Sequence, residues 1–182
     1  MDMSSLFKNR LKSYKPTRWD NIFFSEAVLW SRMSHDTQTQ CGCVLVKNKA
    51  TIATGYNGFI RDINDSVFPK TRPEKYHFMI HSESNAVYNA AREGKSTMGS
   101  RAYITAPPCR LCLQTLWQCG VYEIYFTDIS SPKNCFYGEE YHKILDEMQK
   151  SKPGVLDFRY FPHTSLDAAY LKQSIEKFEN PD

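Results

Sequence analysis

Two short motifs, each at the start of a predicted helix, restrict the folds open to this chain more than any other feature. They are His81-Ser82-Glu83 and Pro108-Cys109-Arg110-Leu111-Cys112, separated by residues 84–107. The Cys-x-x-Cys spacing places two sulfur atoms one helical turn apart on one face. At a helix N-terminus the backbone N–H groups and the helix dipole favour the thiolate, the form that binds metal. The sequence therefore predicts a fold in which two helix N-termini point at one site.

The donor atoms of these motifs suit a catalytic metal ion. His81 and Glu83 lie two positions apart, and in the first turn of a helix both side chains can reach past the helix end. One imidazole and two thiolates leave the fourth tetrahedral position of Zn²⁺ open, which is typical of a catalytic zinc. Glu83 then stays unligated as a proton carrier for a zinc-activated water. Taken alone, the two cysteines fit equally well a redox pair or half of a structural zinc site.

The rest of the pattern alternates helices and strands. Thr17 and Asp20 predict the start of a first helix. Its predicted core stripe consists of Trp19, Ile22, Phe23, Ala27, Trp30 and Met33. A hairpin is predicted from 43–46 and 50–54, helices over 81–93, 109–119 and 139–150, and strands over 102–105, 121–127 and 155–161. This order predicts a mixed sheet covered by helices, with the last strand parallel to its predecessor.

Composition indicates one globular domain. The chain has 182 residues, of which 41% are hydrophobic and 14% aromatic, and its apolar runs are far shorter than the ~20 residues that span a bilayer. We predict a basic N-terminal arm over residues 1–16, with phosphate binding as an alternative to a solvated arm, a domain over 17–164, and a C-terminal helix or tail over 165–182. The chain begins without an apolar signal core, and its cysteines fit reduced thiols, which predicts a cytoplasmic protein. A net charge of +3 gives no indication of a nucleic-acid partner.

Taken together, the motifs resemble the zinc-dependent nucleoside and nucleotide deaminase superfamily, whose signature is H-x-E followed by P-C-x-x-C. The chain is most similar to deoxycytidylate (dCMP) deaminases. These typically show a Gly-Tyr-Asn-Gly turn, an Arg-Pro-Glu-Lys-Tyr segment and a His-Ala-Glu-x-Asn-Ala helix. The corresponding segments here are Gly55–Gly58, Arg72–Tyr76 and His81–Ala86. The match covers roughly residues 19–161, which identifies 17–164 as a deaminase domain.

This resemblance implies both a fold and a reaction. The fold is an α/β three-layer α-β-α sandwich with a mixed five-stranded sheet, as in cytidine deaminases. The reaction is hydrolytic deamination of dCMP to dUMP and ammonia, which supplies dUMP for thymidylate synthesis. His81, Cys109 and Cys112 would bind Zn²⁺, and Glu83 would move protons between the attacking water, the ring nitrogen and the leaving amine.

The resemblance also assigns a substrate pocket. Asn57 would hydrogen-bond the sugar, and the backbone N–H of Ser82 would meet the carbonyl oxygen of the base. The backbone of Thr105 and Ala106 would line the side of the leaving amine. The substrate phosphate needs a cation, and our preferred candidates are Arg32 and His35, because they lie one turn apart after the first helix.

The resemblance implies a homohexamer, which is common among these relatives. In the regulated members dCTP activates and dTTP inhibits, and Mg²⁺ would accompany the regulatory nucleotide. The chain departs from their pattern in three places. Ser82 stands where alanine is usual, Pro107 precedes Pro108, and residues 59–62 lack the usual Pro and Gly. The third departure affects the loop that helps to form the regulatory site, and it weakens the expectation of allosteric control.

Two other functions compete with dCMP deamination. A polynucleotide deaminase, acting on tRNA adenosine or on DNA or RNA cytosine, would share the zinc core. Residues 104–108 lack the Ser-Trp-Ser lead of the DNA and RNA cytosine editors, and the charge is mild for a groove that binds a strand. An inactive, zinc-stabilised binding module is the second alternative, and the presence of Glu83 argues against it.

Overall fold

A mixed five-stranded sheet organises the part of the chain that the structure, a computed structural model, describes: residues 13–130 and 138–167. The strands lie in the order β2-β1-β3-β4-β5. Strand β1 pairs antiparallel with β2 and β3, whereas the β3–β4 and β4–β5 pairs are parallel. In chain order the elements are α1 (Arg18–Ser31), β1 (Gly42–Lys47), β2 (Ala50–Tyr56), α2 (Ser82–Arg92), β3 (Arg101–Ile104), α3 (Arg110–Gln118), β4 (Glu123–Phe126), α4 (Glu139–Ser151) and β5 (Asp157–Tyr160). The predicted mixed sheet and its parallel final strand are confirmed.

Helices cover both faces of this sheet. Successive strand residues point to opposite sides, and both sides carry apolar residues that the helices bury. One core lies between the sheet and helices α2, α3 and α4, and it includes Leu45, Ile104, Leu116, Ile124 and Leu145. The other lies between the sheet and α1, and it includes Phe23, Phe24, Val44, Tyr103 and Phe161. The fold is therefore the three-layer α-β-α sandwich that was predicted.

Helix α1 begins as predicted but turns a different face to the sheet. Thr17 and Asp20 form a capping box, in which each side chain accepts the other's backbone N–H. The predicted core stripe is wrong at three positions, since Trp19, Trp30 and Met33 are exposed. The buried face instead includes the Asp20 carboxylate, which accepts a hydrogen bond from the Tyr103 hydroxyl at 2.8 Å. A buried acidic residue at the helix start is invisible to a search for apolar periodicity.

The segments beyond the predicted domain limits also contact the sheet. Ser13 forms a parallel bridge with Tyr160, and Tyr14 donates its backbone N–H to the Tyr160 carbonyl. At the other end, Leu166 is buried in the core under α1. The predicted domain limits stay predictions. The predicted helix over 165–182 falls mostly outside the described residues, whereas a 3₁₀ helix spans His163–Ser165.

Glycines on two paired strands let helices approach the sheet more closely than any side chain would allow. A Cβ atom at Gly55 would lie 2.3 Å from the backbone N of Ala86 and 2.3 Å from the carbonyl O of Ser82. A Cβ atom at Gly42 would lie 1.9 Å from the carbonyl O of Ala27. The backbone of β2 thus meets the backbone of α2 directly, and this contact fixes the start of α2.

We expect Gly55→Ala to displace α2 and to lower the free energy of unfolding by about 3 kcal/mol or more, because both clashing atoms belong to backbone. Gly138→Ala is the control. No atom lies within 4 Å of a Cβ at Gly138, so it should cost less than about 1 kcal/mol. Denaturant unfolding of the two variants measures the difference. Equal effects would show that the approach of α2 to β2 is looser than the structure indicates.

Candidate zinc centre

The N-termini of α2 and α3 bring the predicted metal ligands together. His81 is the N-cap residue of α2, and Cys109 is the N-cap residue of α3, where its sulfur accepts the backbone N–H of Cys112. The His81 Nδ1 atom lies 3.4 Å from the Cys109 sulfur and 3.5 Å from the Cys112 sulfur. All three donor atoms lie within 4.8 Å of one another. The predicted convergence of two helix N-termini is therefore present.

The spacing of these three atoms fits a tetrahedral zinc ion. Zn–S distances of about 2.3 Å and Zn–N distances of about 2.0–2.1 Å imply ligand separations of roughly 3.5–3.6 Å at tetrahedral angles. The separations of His81 from the two cysteines match this value. Among the described residues, this is also the one group of three His, Cys, Asp or Glu side chains close enough to hold a metal ion.

The contacts among His81, Cys109 and Cys112 also shift the pKa values of these three side chains. The hydrogen-bonding contact with Cys109 raises the pKa of His81 to about 9, although burial opposes the shift. The contact with the Cys112 thiol lowers the pKa of Cys109 to about 4, and that same contact raises the pKa of Cys112. At neutral pH His81 and Cys112 therefore retain protons, whereas Cys109 is a thiolate, and a divalent cation would displace these two protons because zinc binds neutral imidazole and thiolate. Zinc binding at this site releases protons.

Glu83 lies beside the three donors but is not one of them. It is the second residue of α2, and it is 5% exposed. Burial raises its pKa above the usual value for a glutamate. Its carboxylate accepts a hydrogen bond of 2.9 Å from the Ser82 hydroxyl. A buried carboxyl group beside a metal site, outside the ligand set, is suited to proton transfer.

Asn57 lies directly after β2, and a dense polar network fixes its carboxamide. Its Oδ1 atom accepts the backbone N–H of Cys41 at 2.7 Å. Its Nδ2 atom donates to the Thr39 carbonyl at 2.9 Å and to the Asp36 carboxylate at 3.3 Å. Since both amide hydrogens have partners within the chain, the second lone pair of Oδ1 is what Asn57 has left for a ligand.

A buried ion pair supports this network, and sequence reasoning missed it. The Lys75 ammonium donates to both oxygens of Asp36, at 2.6 and 2.7 Å, and its side chain is 1% exposed. A lone lysine in a sequence is usually a solvated surface charge, but Lys75 is buried and paired. Its position in the Arg72–Tyr76 segment of the family pattern was the available signal. The pair ties the segment after α1 to the segment before α2.

The other predicted pocket residues lie at the carboxyl end of β3 and after α1. Thr105 and Ala106 are buried, and the Thr105 hydroxyl accepts hydrogen bonds from the Gly42 N–H and the Ser130 hydroxyl. Arg32 and His35 are exposed. His35 Nδ1 lies 2.8 Å from an Asp65 carboxylate oxygen.

Cys41, Cys43 and His77 are further residues of types that bind zinc. Cys43 belongs instead to the core between the sheet and α2–α4. Burial, with a smaller contribution from the charge of Glu83, raises the pKa of the Cys43 thiol well above its usual value. His77 is exposed. Nothing in the described part of the chain brings these three residues into a ligand set.

An α-β-α sandwich with this His-Cys-Cys group and an adjacent buried glutamate defines the class of zinc-dependent deaminases. Within that class, residues 17–128 match the family described as the cytidine and deoxycytidylate deaminase zinc-binding region. The chain belongs to this family.

Individual relatives agree with this assignment. A probable deoxycytidylate deaminase of Drosophila melanogaster is 29% identical over 173 residues, covering 83% of each chain. A probable deoxycytidylate deaminase of Caenorhabditis elegans is 36% identical over 111 residues, covering 58% of this chain and 55% of that relative. The crystal structure of a dCMP deaminase from the cyanophage S-TIM5, in complex with dCMP and dUMP, superposes with a TM-score of 0.57 at 21% identity, covering 82% of this chain and 99% of that one. The last comparison confirms the fold.

None of the described helices is both long enough and apolar enough to cross a bilayer.

We expect Lys75→Met to lower the free energy of unfolding by about 3–5 kcal/mol, because it leaves the Asp36 carboxylate buried without its cation. The double variant Asp36→Asn/Lys75→Met should recover part of that loss. Lys150→Met is the matched control, since it removes an exposed ion pair with Glu147 and should leave the free energy of unfolding nearly unchanged. Urea unfolding measures the free energy of unfolding of each variant. Similar losses for Lys75→Met and Lys150→Met would contradict the buried ion pair.

Proposed function

We propose that this protein catalyses the hydrolytic deamination of dCMP to dUMP and ammonia. The observation that carries the proposal is the group of His81, Cys109 and Cys112 with Glu83 buried at its side. Several curated relatives of the chain are named deoxycytidylate deaminases. A protein of the same fold has been crystallised with dCMP and dUMP.

In this proposal His81, Cys109 and Cys112 hold a zinc ion. When bound, zinc supplies a Lewis acid that activates water at neutral pH. The donor set supports the assignment, because one imidazole and two thiolates leave a coordination position open. The N-termini of α2 and α3 hold the donors on rigid elements.

Glu83 is the proposed proton carrier. Its carboxylate would take a proton from the attacking water and deliver it to the ring nitrogen. Water adds its oxygen to the ring carbon that bears the amine, and the carbon–nitrogen bond to that amine breaks. Glu83 would then take the second proton from the newly added hydroxyl and hand it to the departing nitrogen, so that ammonia leaves and a carbonyl remains. Burial suits Glu83 to both steps, because it raises the pKa of the carboxyl group above its usual value and so makes the protonated form more accessible.

The proposed pocket uses backbone groups and one carboxamide. Ser82 is the first residue of α2, where a backbone N–H has no partner inside the helix, so it can donate to the carbonyl oxygen of the base. The backbone of Thr105 and Ala106 would line the amine side. Asn57 would accept a hydrogen bond from a sugar hydroxyl through the second lone pair of its Oδ1 atom.

Phosphate recognition remains assigned to Arg32 and His35 as a proposal. Ser34, which lies between them, donates its hydroxyl to the Asn57 carbonyl at 2.6 Å. This bond supports the assignment because it fixes the segment that carries both cations beside the proposed sugar ligand. The Asp65 carboxylate that contacts His35 would compete with phosphate for this imidazole.

Several finer assignments stay predictions. They are the homohexamer, regulation by dCTP and dTTP, Mg²⁺ with a regulatory nucleotide, and the cytoplasmic location. The same holds for the absence of a nucleic-acid partner, for which the net charge of +3 is the support.

Glu83→Gln should retain zinc and the fold but lose turnover, because an amide cannot accept and return the proton. The expected loss of kcat is at least about 10²–10⁴-fold. Ammonia release from dCMP, measured together with zinc content, tests this. Cys112→Ala provides the contrast, because it should lose zinc and stability together. A Glu83→Gln variant with near-normal kcat would remove the proton-carrier role.

The substrate assignment is tested by comparing kcat/KM for deoxycytidine, dCMP and a cytosine-containing single strand at two salt concentrations. A charge-assisted hydrogen bond to phosphate contributes ~1.5–3 kcal/mol. Two or three such bonds should favour dCMP over deoxycytidine by about a hundredfold to several thousandfold. The strand should be inert, and salt should matter little, because one phosphate releases few counterions. Efficient deamination within the strand would indicate a polynucleotide deaminase, and no deamination of any substrate would indicate an inactive module.

A further inference from the structure

The Ser82 side chain makes an unusual contact for its position. Ser82 is the first residue of α2, and it is 0% exposed. Its hydroxyl donates to the Oε2 atom of Glu83 at 2.9 Å. Adjacent residues of a helix do not face each other, so the Glu83 side chain must fold back toward the start of α2 to make this bond.

The backbone that carries the Ser82 hydroxyl has little room to move. Gly55 lies so close to α2 that a Cβ atom there would be 2.3 Å from the Ser82 carbonyl oxygen. The donor is therefore fixed by packing of α2 on β2, and it constrains one oxygen of a flexible carboxylate. A side chain held by a bond of this kind loses fewer conformations when it must adopt its working geometry.

We propose that Ser82 is a positioning residue, whose hydroxyl holds Glu83 Oε2 and thereby directs the other carboxylate oxygen toward the donors of His81, Cys109 and Cys112. The inference rests on the proposed function, because it concerns the orientation of the proposed proton carrier. It also gives a role to the departure from the family pattern at this position, where alanine is usual. The competing explanation is that the hydroxyl is tolerated without any effect.

Ser82→Ala tests the positioning role. We expect kcat for dCMP to fall about tenfold, whereas KM and zinc content stay unchanged, because the variant disturbs only the carboxylate that moves protons. Ser100→Ala is the matched control. Ser100 is also buried, and its hydroxyl donates to the backbone carbonyl of Thr97. Equal kcat for Ser82→Ala and the unaltered enzyme would overturn the inference, and so would a loss of kcat accompanied by a loss of zinc.

The same substitution made in a Glu83 variant distinguishes a loss of Glu83 orientation from a general loss of activity. Glu83→Asp shortens the carboxylate, so the Ser82 hydroxyl no longer reaches it. In that background Ser82→Ala should change kcat by less than about twofold, because the interaction is already lost. A tenfold loss in both backgrounds would show that Ser82 acts on something other than Glu83, and it would overturn the inference.

Thermal unfolding of the zinc-loaded protein gives a readout that needs no activity. Ser82→Ala should lower Tm by about 2–4 °C in the native background, and by less than about 1 °C in the Glu83→Ala background. If the unaltered protein releases no ammonia from dCMP, the proposed function fails, and this cycle still decides whether the two side chains interact. Equal shifts of Tm in the two backgrounds would overturn the inference, whatever the activity.

Discussion

The direct contact between the backbone of β2 and the backbone of α2 determines where the chemistry of this protein lies. At Gly55 the strand approaches the helix so closely that no side chain fits between them. The distance of helix α2 from the sheet is therefore fixed. Its N-cap residue, His81, lies near the start of α3, which follows the carboxyl end of the central strand β3. Because Cys109 is the N-cap of α3, the starts of two helices that are distant in the chain meet at this point.

A second constraint acts from the opposite side of the proposed pocket. The buried pair of Asp36 and Lys75 joins two irregular segments, and Asp36 also accepts the backbone N–H groups of Gln38 and Thr39. Connecting segments usually tolerate motion, but here a desolvated charge pair, in which Lys75 donates to both carboxylate oxygens of Asp36, keeps them together. The Asn57 carboxamide is fixed by this network rather than by packing, so the pocket wall depends on polar interactions whereas the metal donors depend on backbone contact.

Local signals in the sequence were sufficient for the helix starts, the hairpin and the donor set. Thr17 and Asp20 identify a capping box, and the spacing of Cys109 and Cys112 identifies two sulfur atoms on one face, because both patterns involve residues within one helical turn. Contacts between distant residues were not available in the same way. Lys75 looks like any surface lysine until Asp36, in a different segment, is placed beside it. The face that α1 turns to the sheet likewise includes, beside its apolar residues Phe23, Phe24 and Ala27, the Asp20 carboxylate, whose partner is the distant Tyr103 hydroxyl.

The position of the donors at the starts of two helices has a consequence for the stability of the folded protein. A metal ion bound by His81 and Cys109 joins residues that lie 28 positions apart in sequence, and so acts as a cross-link between α2 and α3. Because these donors come together only in the folded chain, the free energy of metal binding adds to the free energy of folding. The free energy of unfolding of a protein is typically 5–15 kcal/mol, and for this protein a substantial fraction of it would depend on bound metal. Its abundance in a zinc-poor cell would fall through unfolding and degradation of the metal-free chain.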